Sequence, residues 1–174
     1  VGQERVAQTT MYLLDDSLVW STSGTALLEP MVGHCTVQIN DDTIAFIGGV
    51  TSATNINAET RSQIYVLTNG AWSYGPDLPA DVERGGNLGC YLVPDDENLV
   101  VFGCAQGGSN PAKAYAWDIA NNSTSEIGEC PNKSMHFHAL DDNSTVLATG
   151  TNRVIYEFDR LSGSFARLEG SSLL

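Results

Sequence analysis

Apolar residues occur in this chain as short runs separated by acidic, asparagine or glycine turns. Val37 and Ile39, then Ile44-Ala45-Phe46-Ile47, flank the turn Asn40-Asp41-Asp42. β-Branched and aromatic residues favour strands, and Asp and Asn favour turns. The unit recurs. Cys90-Tyr91-Leu92-Val93 and Leu99 to Gly103 flank residues 94–98, and His136 to Leu140 and Ser144 to Gly150 flank Asp141-Asp142-Asn143. A second unit sets a tyrosine, a polar residue three later, and an aromatic or apolar residue further on. Its copies are Tyr12, Asp15, Trp20; Tyr65, Thr68, Trp72; Tyr115, Asp118, Glu126 or Ile127; and Tyr156, Asp159, Phe165. In the second copy Asn69-Gly70 joins Ile64–Leu67 to Ala71-Trp72, and that dipeptide is the strongest short hairpin signal. No long segment holds apolar residues at helical spacing. Each unit therefore predicts a hairpin. Two hairpins per period of about 50 residues predict an almost all-β chain of about 14 strands, in three four-stranded sheets plus a two-stranded piece.

The same residues resemble the kelch repeat. Its pattern is a double glycine, a spaced tyrosine, then a tryptophan, a Pro-rich link and a Gly-His pair opening the next repeat. The best copy runs from Gly33-His34 through Gly48-Gly49, Tyr65 and Trp72 to Gly75-Pro76-Asp77-Leu78-Pro79. The next repeat departs from it, with Gly86-Asn87, Gly103-Cys104, and Glu126 or Ile127 in the tryptophan slot. The last has Thr149-Gly150 and Phe165. The resemblance covers about Thr10 to Leu168 and implies a partial kelch-like β-propeller of four-stranded antiparallel blades. The blades fall at 34–75, 87–128 and 134–169, and residues 8–22 supply the last two strands of another. Propellers close with about four to eight blades. The expectation is therefore a piece of a larger propeller, or a ring completed by another copy. The opening Val1 fits a removed leader or a piece of a longer chain.

Charge narrows the partners. Eight basic against 21 acidic residues leave a formal charge of −13. That balance argues against nucleic acid and against anionic lipid, because both need clustered cations. No apolar run is long enough to span a membrane.

Candidate chemistry is sparse. His136 and His138 have the i, i+2 spacing that puts two side chains on one side of a strand. A metal would want further ligands, so His34 and His136 are read as repeat-opening residues bonded to neighbouring loops. Galactose-oxidase-like copper enzymes share the kelch-like propeller and need a cysteine cross-linked to a tyrosine. Adjacent Cys90 and Tyr91 point to opposite faces of a strand and cannot supply that link to each other. The Asp pairs at 15–16, 41–42, 95–96 and 141–142 read as solvated turns rather than calcium loops. No cofactor and no catalytic residue is expected.

Cys35 and Cys90 occupy equivalent slots of consecutive repeats, while Cys104 ends a strand and Cys130 leaves the same blade. Of three possible pairings, topology favours Cys35–Cys90 and Cys104–Cys130. Four free buried thiols in a cytoplasmic protein are the alternative. Sequons stand at Asn121, Asn122, Asn132 and Asn143. With the cysteines they favour an extracellular protein, and the 33–49 segment resembles secreted or ectodomain kelch-type proteins of invertebrates.

The expected function is a non-catalytic module that binds a protein or peptide. One set of turns is nearly all acidic, with Arg160 alone against it. The longer loops and links carry Arg61, Arg84, Lys113, Lys133 and Arg153. Loops on a rigid scaffold are where binding concentrates, so these five cations are expected to contact an acidic segment. A copper enzyme fragment and an extracellular glycan-binding or structural protein are the alternatives.

Overall fold

The computed structural model describes residues 9–14, 17–50, 62–83, 87–93, 96–105, 111–139, 146–150, 154–159 and 162–172. Fourteen strands form one two-stranded and three four-stranded antiparallel sheets among them. The first hairpin is β1 (Tyr12–Leu14) and β2 (Trp20–Thr22). Next come β3 (Cys35–Asn40), β4 (Thr43–Ile47), β5 (Gln63–Thr68) and β6 (Ala71–Asp77). A single helical turn, α1 (Ala80–Glu83), leads to β7 (Gly89–Val93), β8 (Asp96–Gly103), β9 (Lys113–Asp118) and β10 (Ser123–Glu129). The last sheet is β11 (His136–Ala139), β12 (Val146–Thr149), β13 (Val154–Asp159) and β14 (Ser164–Ser172). Strand order follows the chain in every sheet, as hairpin-to-hairpin connection requires.

Turn chemistry sets the hairpins. Asn69 and Gly70 both have positive φ, 50° and 80°, the conformation of the tight turn that matches strand twist. The Asn40 side chain accepts the Asp42 amide at 3.0 Å, and the Asp96 carboxylate accepts that of Asn98 at 3.1 Å. Asp118 accepts both the amide and the side-chain N–H of Asn121. Those bonds, the side-chain one foremost, hold the Asp118 carboxyl below its usual range. The turn after Pro79 was not expected from periodicity. Four residues are too few to show a helical repeat, and it is fixed instead by the Val82 amide bonding Pro79 O at 2.9 Å and by burial of Val82.

The sheets stack face to face in chain order. Val37, Ala45, Ile47 and Ile64 of the β3–β6 sheet meet Val100, Phe102, Tyr115 and Trp117 of the β7–β10 sheet. The other face of that second sheet, with Tyr91, Val101 and Ala114, meets Phe137, Val146, Ala148 and Phe158. Because both its faces are covered, the β7–β10 sheet can hold the unbroken apolar run Leu99–Phe102, whereas a half-exposed strand would alternate. Among the first strands, β3 lies beside β7 and β7 beside β11.

Register identifies equivalent positions. The residue two after each repeat tyrosine pairs across its hairpin: Leu14 with Trp20, Leu67 with Trp72, Trp117 with Thr124 and Phe158 with Phe165. Thr124, rather than Glu126 or Ile127, therefore occupies the slot of Trp72. The aromatic has moved to the facing strand as Trp117. The same register makes β1–β2 the counterpart of the last two strands of each larger sheet. Leu67, Trp117 and Phe158 are 7%, 3% and 2% exposed, yet Leu14 and Trp20 are 47% and 66% exposed. Met11 and Leu27 anchor this hairpin segment on Phe46, Tyr65 and Leu67, and Trp72 Nε1–H donates to Ala26 O at 3.1 Å.

All four cysteines are bridged, in the favoured pairing. Cys35–Cys90 ties β3 to β7 with Cα atoms 5.9 Å apart. Cys104–Cys130 ties the end of β8 to the exit of β10, at 5.7 Å.

Candidate functional site

Three first strands build a concave feature that gathers candidate side chains. Each of β3, β7 and β11 lies at the edge of its sheet, and their N-terminal ends converge on a groove of about 310 Å³. The Cys35–Cys90 bridge lies in its wall, with His34 and Thr36 from one side and His136 and His138 from the other. Gly89 permits the approach. A Cβ there would sit 2.6 Å from Met135 O and 2.9 Å from His136 Cα, so any side chain would force β7 and β11 apart. His34 stands far from His136 and His138 in sequence. Sequence alone reads His34 and His136 as repeat-opening residues bonded to neighbouring loops, and sets His136 and His138 on one side of a strand. The signal was present in the equivalence of the Cys35 and Cys90 slots, which already placed β3 beside β7.

The histidines differ. His34 packs its ring 5.9 Å from that of Phe46, and its Nδ1 is buried with no protein partner among the described residues. Burial pushes its pKa below the ordinary 6.5. His138 Nε2 lies 3.3 Å from Thr149 Oγ1, and both His136 and His138 are exposed. Among the described residues no group of three His, Cys, Asp or Glu converges to hold a metal ion.

The His34 shift has a pH consequence of definite sign. Its folded pKa lies below the unfolded value of 6.5, so the unfolded chain binds more protons between the two. The stability linked to neutral His34 is complete above the unfolded pKa and is lost as pH falls towards the folded one. Urea midpoints measured from pH 7.5 down to 5 are expected to decline in the native protein and to decline less steeply in His34→Gln. Equal slopes would remove His34 as the linked group.

The expected cationic face is only partly visible. Arg61, Arg84 and Arg153 lie outside the described residues, as does Arg160 of the acidic turns. Lys113, expected on a loop, is the first residue of β9, and its ammonium lies 2.6 Å from Glu126 Oε2. Lys133 is half-buried in the link before β11, its amide bonded to Asn132 Oδ1 at 2.9 Å. Of the sequons, Asn121 and Asn122 are exposed on the β9–β10 turn, Asn132 is half-buried, and Asn143 lies outside the described residues.

No protein-family model matches the chain, and no curated protein matches it. Among solved structures it is similar to an auxiliary nutrient binding protein from Bacteroides thetaiotaomicron VPI-5482, at a TM-score of 0.59 and 13% identity. The match covers 95% of this chain and 38% of that one. At this identity the likeness concerns the fold alone, and the chain spans well under half the length of its neighbour. No helix among the described residues is long and apolar enough to cross a membrane.

Proposed function

We propose that the chain is a run of consecutive kelch-like propeller blades acting as a non-catalytic, extracellular module that binds a protein or peptide. The observation that carries this reading is register. Three four-stranded sheets succeed one another with their first strands side by side, and β1–β2 repeats the register of their last two strands. Radial repetition of such sheets is the propeller architecture. The exposed Leu14–Trp20 pair then belongs to a blade whose first two strands come from further propeller sequence, in a longer chain or in another copy.

A rigid, doubly cross-linked scaffold of this kind presents its loops for binding. We assign the contacts to Arg61, Arg84, Lys113, Lys133 and Arg153, facing an acidic segment of the partner. Each exposed pair contributes about 0–1 kcal/mol. Lys113 contributes least, because a partner carboxylate must displace Glu126 from it. With a partner isolated by pull-down, calorimetric titration of the five alanine variants is expected to show weakened binding, and added salt should shrink the deficit of each variant relative to the native protein. Lys113→Ala should have a smaller effect than Arg61→Ala or Arg84→Ala. Weakening by Arg160→Ala equal to theirs would place the binding face elsewhere.

Two bridges and exposed sequon residues support the extracellular assignment, since disulfides persist in oxidising compartments. A copper centre of the galactose oxidase type is disfavoured by the commitment of Cys90 to Cys35, and copper content with oxygen uptake tests it. The second reading is a glycan- or small-nutrient-binding protein, favoured by the similarity in fold to an auxiliary nutrient binding protein. Glycan-array signal without any protein captured would select it.

A further inference from the structure

We propose that the Cys35–Cys90 bridge is a thiol–disulfide exchange site for an external dithiol, reached through the groove between β3, β7 and β11, while Cys104–Cys130 is a permanent structural link. The two bridges sit in opposite environments. Cys104 and Cys130 are 0% and 5% exposed and belong to the core between the second and third four-stranded sheets. Main-chain bonds close around them: the Cys104 amide donates to Lys113 O, the Cys130 amide to Ala112 O, and the Ser134 amide to Cys104 O. Cys35 and Cys90 are only half-buried, and both line the groove. Exchange requires a thiolate to reach a bridge sulfur directly, so access governs which bridge reacts.

The surroundings suit the chemistry. A reductant thiolate attacks one sulfur of the bridge, forms a mixed disulfide and breaks the Cys35–Cys90 bond. The other cysteine leaves as a thiolate, which takes a proton from water. The second thiol of the reductant, deprotonated, then attacks the mixed disulfide. It leaves as the cyclic disulfide of the reductant and frees the remaining cysteine. Two electrons pass from the dithiol to the bridge, and Cys35 and Cys90 end as two thiols. The apolar contact between the sheets does not depend on the bridge, because Ile47, Ile64, Phe102 and Trp117 stay packed behind it. Reduction therefore uncouples the N-terminal ends of β3 and β7 without unfolding the protein.

The test is partial reduction of the native, fully oxidised protein with dithiothreitol at pH 7.5. The reaction is quenched with N-ethylmaleimide, and tandem mass spectrometry assigns each label. Cys35 and Cys90 are expected to label at a reductant concentration at least tenfold below that needed for Cys104 and Cys130. The rate should rise in proportion to dithiothreitol, and the strand signal in circular dichroism should be retained. Simultaneous labelling of all four cysteines, or earlier labelling of Cys104 and Cys130, would overturn the assignment. So would a rate independent of reductant, which would mean that the bridge reacts only after the protein opens.

Discussion

Phe102→Ala is expected to lower the unfolding free energy by about 3–5 kcal/mol, the usual cost of emptying a buried aromatic site. Phe102 is fully buried on β8, its ring centroid 5.7 Å from that of Tyr115, within the core shared by the first two four-stranded sheets. The void would open between two cross-linked sheets, where the flanking strands are held by their ladders and cannot collapse into it. Against a typical domain stability of about 5–15 kcal/mol the loss is large. It should lower the melting temperature by about 6–20 °C in a chain of this size. Val19→Ala, at an exposed position, is the control and should stay within about 0.5 kcal/mol of native. Matching urea curves for the two variants would mean that the sheets are not packed through Phe102.

Removing the Cys104–Cys130 bridge in the double variant Cys104→Ala/Cys130→Ala is expected to cost about 3.5 kcal/mol. That figure follows from the chain entropy of a loop with the bridge's sequence separation of 26. Alanine is the right replacement, since serine would bury a hydroxyl where the sulfurs are nearly inaccessible. The released unfolded chain is more extended, so the urea midpoint should fall while the slope rises. The measurement is made without reductant, leaving Cys35–Cys90 intact. An unchanged midpoint would show that the bridge constrains nothing in the unfolded chain.

Strand positions were legible because their signals are local. Asn69-Gly70, the Asp41-Asp42 turn and the run Leu99–Phe102 each specify backbone conformation or burial within a few residues. Cysteine pairing was legible because the repeat period places Cys35 and Cys90 in equivalent slots of adjacent sheets. Features that depend on contact between sheets were not. The tryptophan slot was assigned to Glu126 or Ile127, but cross-strand register puts Thr124 there and shifts the aromatic to Trp117. Lys113 read as the end of a loop, although its carbonyl bonds the Cys104 amide and its side chain bonds Glu126. The groove needed three strands from three sheets, and no window of sequence contains His34, Cys90 and His136 together.

The sandwiching of the β7–β10 sheet between two neighbours has a consequence for how the molecule opens. Each sheet touches chiefly the one before and the one after, so its resistance to opening follows from how many neighbours it has, as in other quasi-one-dimensional stacks. Amide hydrogens of Val100, Val101 and Phe102 should exchange with solvent only through global unfolding, while those of β1 and β2 should exchange through local fraying. A protease meeting the native protein would accordingly reach the N-terminal hairpin first, and the twice-covered sheet would form the last fragment to survive.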